Sequence, residues 1–209
     1  MSFRLFGKGL ACLIFYMIAD AGIEMNNYSI LEDCIRDTFS RVVWSHKIQE
    51  KQADIYQSQY TVLMVVNIFS SSLTSAGIVS LLWFDELYIK IISALLSFVT
   101  VSVSAYIKQF NLNTMVKSHK STATKLLAAR VELTCLLMKC RLQDMSIGEL
   151  REQYESLVKK IDEIYADAPN TSNKAVKLAK EALQVTGDNT FTDEEINSYL
   201  PIALKKEHT

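Results

Sequence analysis

The chain has 209 residues, in which 22 lysines and arginines face 23 aspartates and glutamates for a net charge of −1. The basic residues form no stripe interleaved with aromatics, so no direct nucleic-acid binding is expected. A mean hydropathy of +0.12 averages two greasy runs with long charged flanks, so the near-zero balance conceals the segregation that decides the fold class.

Residues 1–28 form an apolar N-terminal segment. Arg4 and Lys8 precede the run from Gly9 to Ala19, and Ala19-Asp20-Ala21 matches a small-x-small cleavage site, as in a secretory signal peptide. Cleavage there would export Arg41, Lys47 and Lys51, against the preference of basic flanks for the cytoplasm. A short interfacial or buried helix, and a true start at Met25, are the alternatives. From 29 to 59 no Pro or Gly interrupts the chain, and Leu31, Ile35, Phe39 and Val42 recur at helical spacing. The expectation is a cytoplasmic amphipathic helix leading into a membrane, with Trp44 and Tyr56 toward the bilayer interface or a partner helix.

Residues 60–107 read as a two-span transmembrane hairpin. The uncharged stretches Ile55 to Phe84 and Ile91 to Ile107 flank a link of Asp85, Glu86, Leu87, Tyr88, Ile89 and Lys90. At 1.5 Å per residue they reach about 45 and 25 Å against a hydrocarbon slab of about 30 Å, the second lengthened if Lys90 snorkels. Arg41, Lys47 and Lys51 precede the first span and Lys108, Lys117, Lys120 and Lys125 follow the second. Both termini are therefore expected in the cytoplasm, with the protein in the inner membrane.

Residues 108–166 are expected as a cytoplasmic, coiled-coil-like helical hairpin. Its first helix carries the apolar stripe Leu127, Val131, Cys135, Met138 and Leu142, and Ser146 with Glu149 forms a capping box for the second. The second helix has the cleanest periodicity in the chain, a packing seam of Ile147, Leu150, Tyr154, Leu157, Ile161 and Ile164. Pro169 and the polar run around it make a turn. Residues 167–209 then hold a looser pair of short helices, Asn173 to Val185 and Ile196 to Leu200, the second behind a capping box of Thr192 and Glu195. The fold class is all-α.

Six glycines and the absence of any Gly-rich phosphate loop, Ser-His-Asp or Cys-His arrangement or His-Glu-x-x-His argue against an enzyme, and no cofactor or metal site is expected. His46, His119 and His208 read as surface or lightly packed side chains. Cys12, Cys34, Cys135 and Cys140 read as reduced, packed thiols, since no Cys-x-x-Cys or disulfide-dense pattern occurs.

The informative polar residues are inside the spans. Asn67, Ser71 and Thr74 share one face of the first, and Ser93, Ser97, Thr100 and Ser104 one face of the second. Small hydroxyl residues let helices approach and hydrogen-bond across an interface. The same faces would line a water-filled path if several hairpins assembled, because one hairpin encloses no lumen. Both readings stay open.

The run Arg41 to Tyr56, the two-span hairpin, Lys117-Ser118-His119-Lys120 and the Ile147 to Ile164 seam resemble the SLATT proteins, over about residues 30–200. These are two-transmembrane effectors of bacterial conflict systems, and the Trp44 to Tyr56 segment leans toward their reverse-transcriptase-associated type. The segment before Asn26 has no counterpart in that pattern. The resemblance implies a membrane effector that self-associates into a pore when an infection-sensing partner fires, causing growth arrest or cell death. Such a partner would be a nucleotide second-messenger synthase or a reverse transcriptase system. The alternative is a membrane-anchored adaptor that recruits a partner protein through its cytoplasmic coiled coil.

Overall fold

The computed structural model describes residues 24–83, 86–188, 190–201 and 205. The run up to residue 23, with its cleavage-like site and Cys12, lies outside the described residues, as do Phe84, Asp85 and His208. Among the described residues the chain is all-α. Helix α1 spans Glu24–Ser80, α2 Leu87–Phe110, α3 Leu112–Leu142, α4 Ile147–Ala166, α5 Asn173–Gln184 and α6 Asp193–Tyr199.

Helix α1 runs 57 residues without a break, about 85 Å at the standard rise. Helices α2 and α3 return alongside it. The pairs Gly77–Ser93, Asn67–Ser104, Gln49–His119 and Glu32–Arg141 rise in one rod as they fall in the other, the mark of an antiparallel arrangement. Asn111 sits in left-handed backbone (φ 46°, ψ 45°) and divides α2 from α3. Asparagine tolerates that region, and its side-chain oxygen accepts from the Thr114 hydroxyl at 2.8 Å.

Helix α4 starts at the expected capping box, with the Glu149 N–H donating to Ser146 Oγ and the Ser146 N–H to Glu149 Oε2. It runs parallel to α1. Tyr154 meets Thr38 at 2.8 Å, Tyr165 donates to Ser45 at 3.1 Å, Gln49 reaches the Pro169 carbonyl and Gln52 takes Ser172, so contacts climb together along both chains. The α4 seam therefore closes a three-helix core and not only a hairpin. Leu150, Leu157, Ile161 and Ile164 pack with Leu31, Ile35 and Val42 of α1 and Leu126, Ala129, Leu133 and Leu136 of α3, while Ile147 and Tyr154 flank them half-buried. Each fully buried Leu or Ile contributes about 1.5–3 kcal/mol relative to exposure.

Three sequence expectations fail here for tertiary reasons. The α3 stripe of Leu127, Val131, Cys135, Met138 and Leu142 faces outward: Val131 is 57% exposed while Leu133 is fully buried. The helix is apolar on both faces, and α1 and α4 cover the other one. The C-terminal pair is not uniformly loose, because Ala175, Ala179 and Ala182 bury α5 against the rest of the fold, and small side chains let α5 approach α1 closely. Among the described residues, α6 buries no side chain. Cys135 and Cys140 are free, and burial pushes the Cys140 thiol up. Cys34, in contrast, is disulfide-bonded and not the reduced thiol expected.

Candidate functional site

The lower half of α1 and all of α2 invert the usual rule of burial. Val62, Ile68, Phe69 and Leu73 on α1, and Ile92, Leu95, Phe98 and Val101 on α2, are exposed. Soluble proteins rarely leave such a contiguous apolar surface to water, whereas lipid covers it without cost. Helix α2, at 24 residues, is about 36 Å long, enough to cross. Two helices are long and apolar enough to span, and almost none of their apolar windows is buried inside the protein.

The inner face of this hairpin is polar. Ser70 and Ser93 are buried in the seam, with Asn67, Ser71, Thr74 and Thr100 half-buried beside them. A Cβ on Gly77 would fall 2.1 Å from Ser93 Oγ, so the helices touch where a side chain is missing. Higher up, Ser104 donates across the seam to Asn67 Oδ1 at 3.0 Å. The other hydroxyls bond their own helix: Ser71 to the Asn67 carbonyl, Thr74 to that of Ser70 and Thr100 to that of Leu96, each at 2.8–3.0 Å. They need no partner across the interface. Ser97 faces outward, away from α1, and Ser104 sits at the seam edge. The structure thus brings together six of the seven hydroxyl and amide positions expected from the sequence, and leaves Ser97 on the surface.

Between the hairpin and the three-helix core lies a buried polar neck that the sequence expectations do not include. His119 of α3 is fully buried and stacks on Tyr56, ring centroids 5.5 Å apart. Gln49 Nε2 donates to the Pro169 carbonyl at 3.3 Å, which turns Gln49 Oε1 toward His119 Nδ1 at 2.5 Å. A neutral ring therefore donates from Nδ1, and the buried Nε2 keeps a lone pair with no donor. Burial holds the His119 pKa below its ordinary 6.5. One turn away His46 is also buried, its Nδ1 likewise without a partner. Desolvation lowers its pKa, opposed by Glu50 and aided by Lys47 and Arg130.

Gln52 closes the neck by accepting from both the N–H (2.8 Å) and the hydroxyl (2.7 Å) of Ser172, the residue that caps α5. Lys47, nearly buried, bridges Glu50 at 2.7 Å and Asp188 at 3.5 Å. The expectation of surface histidines is wrong at both described positions. Continuing the Leu31, Ile35 and Val42 spacing along α1 lands on His46, Gln49, Gln52 and Tyr56, and that helical period alone marks the four as inward-facing.

Long apolar rods with a polar seam, joined to a water-soluble helical core, define a two-span helical membrane protein. The chain belongs to the SMODS and SLOG-associating 2TM effector domain family 4, whose match covers residues 31–195. No curated protein and no solved structure matches it.

Proposed function

We propose that this protein is a membrane effector whose hairpins assemble into a conducting pore, and that this opening stops growth or kills the cell in an antiviral defence response. The observation that carries the reading is the inverted hairpin: its hydroxyl-rich face is folded shut against itself, so one copy holds no lumen and several are needed to line one. Asn67, Ser71, Thr74, Ser93, Thr100 and Ser104 of that seam are assigned to the path, together with Ser97, which faces outward in the single copy. The neck and the three-helix core, on the cytoplasmic side with both termini, hold the seam closed until a sensor acts. That sensor would be a nucleotide second-messenger synthase or a reverse transcriptase system.

The adaptor alternative needs a free coiled-coil face, and the Ile147 to Ile164 seam is consumed in the core of the same chain. That leaves recruitment to other surfaces and favours the pore. Induced expression should depolarise cells, and Ser97→Leu with Thr100→Leu should abolish depolarisation while the protein still reaches the membrane. Toxicity unchanged in that double variant defeats the pore-lining assignment. Toxicity surviving deletion of residues 60–107 selects the adaptor.

A further inference from the structure

We infer that the surface groove between α1 and α3 receives the acidic C-terminal helix α6 of a second copy of this chain. The groove, with a volume near 340 Å³, is lined by Arg36, Phe39, Thr134, Leu137, Met138 and Arg141 among others, with Arg141 held by Glu32 at 2.8 Å. Arg130 lies over the Phe39 ring, 5.7 Å from its centroid, adding a third guanidinium at the rim. With Arg141 engaged by Glu32, Arg36 and Arg130 give the apolar trough its positive side, and it continues into the exposed Met138 and Leu142 of α3.

Helix α6 has the opposite charge and the same greasiness. Asp193, Glu194 and Glu195 fill its first turn, and Phe191, Ile196 and Tyr199 are exposed around it. A seven-residue helix does not hold itself together in water, since isolated helices below about 12–15 residues are marginal. Yet its start is fully built: the Thr192 N–H donates to Glu195 Oε2 at 2.8 Å and the Glu195 N–H to Thr192 Oγ1 at 3.3 Å. A preformed amphipathic helix with nothing buried fits one that docks.

The tail leaves the body at Asp188, which Lys47 and Lys51 hold at 3.5 and 3.8 Å. Arg36 lies about 16 Å further along α1, and eight residues of tail can extend about 26 Å, so the tail reaches the height of Arg36, whether on its own chain or on an adjoining copy. Within one chain both halves are left unsatisfied together. Neighbouring copies in one bilayer stand at the same height and in the same orientation, so the tail of one meets the groove of the next. That contact is head-to-tail and closes into a ring if the rotation permits. The inference rests on the assembly half of the proposed function and not on conduction.

Two differently tagged copies, co-expressed and purified in mild detergent, test it. Arg36→Glu in both copies should lower co-purification about fivefold, as should Asp193→Lys with Glu194→Lys in both. Pairing one Arg36→Glu copy with one lysine-tailed copy should restore it, because each groove then meets a complementary tail. Restoration only when both swaps sit in the same chain means that α6 fills its own groove, and overturns the proposal; so does co-purification that ignores the swaps, or loss that no pairing restores. A bismaleimide joining Tyr199→Cys to the exposed Cys135 should give a band of twice the chain mass, not of one. Depolarisation by the parent with co-purification indifferent to charge removes the docking and leaves the pore. Charge-dependent pairing without depolarisation does the reverse.

Discussion

The two halves of α1 make opposite use of one helical period. Above the neck, Leu31, Ile35 and Val42 face inward and charged residues such as Asp33, Arg36 and Asp37 face water. Below it, Ser70 and Thr74 face inward while Val62, Phe69 and Leu73 face out. The geometry is the same and only the solvent differs. In water, burying apolar area drives the packing; in lipid that drive is gone, and close approach at Gly77 with a hydrogen bond such as Ser104–Asn67 takes over. His46, Gln49 and Gln52 mark the change of regime, where the inner face has already turned polar.

The sharpest way to break this contrast is a charge in the lower half. Thr74→Arg should cost about 2.5–3.5 kcal/mol at mid-span and prevent integration, read as loss of carbonate-resistant membrane recovery. Normal recovery would mean that the lower half does not see lipid. In the upper half, Leu133→Ala should destabilise by about 2–5 kcal/mol and lower the Tm of the detergent-solubilised protein by several degrees.

Acid should strike the neck next. His46 and His119 have pKa values below 6.5 in the fold, so as pH falls through 6.5 the unfolded chain takes up protons that the folded chain refuses, and stability falls. Above that pH both states are neutral and nothing is lost. Each fully uncompensated histidine weakens the fold by about 1.4 kcal/mol per pH unit, and His119→Phe should flatten the fall in Tm between pH 7 and pH 5. An unchanged slope would place His119 outside the titrating set. The smallest effect belongs to the outer face of α3: Val131→Lys should stay within about 0.5 kcal/mol of the parent, against the large cost at Leu133 two residues on. A collapse at Val131 would reverse the assignment of inner and outer faces.

Much of the fold is legible locally. Capping boxes at Ser146 and Thr192 depend on side chains three residues apart, and the break at Pro169 on one ring; both appear where the sequence places them. The two spans are legible because lipid demands length and absence of charge, which are properties of a segment. What fails depends on neighbours. Leu126, Ala129, Leu133, Leu136 and Cys140 are as apolar and as well spaced as the stripe that faces out, and only the positions of α1 and α4 choose between them. The hydroxyl face of α2 is displaced for a related reason: the inner face follows Ser93, Leu96, Thr100 and Val103, so a sequence pattern built on Ser97 and Ser104 straddles the seam. The α1 side of the polar neck is marked by its helical period, but His119 stays hidden because a buried histidine looks like any other until its partner arrives from 70 residues away.

One rod is an unbroken beam and the other is jointed. Helix α1 has no proline and no glycine before Gly77, so a tilt or rotation imposed on its outer end is delivered whole to the bilayer. The returning rod is divided at Asn111, whose left-handed backbone is the one interruption between α2 and α3. A push on the helical core should therefore reach the two membrane helices unequally, whole through the unbroken member and across a bend through the other.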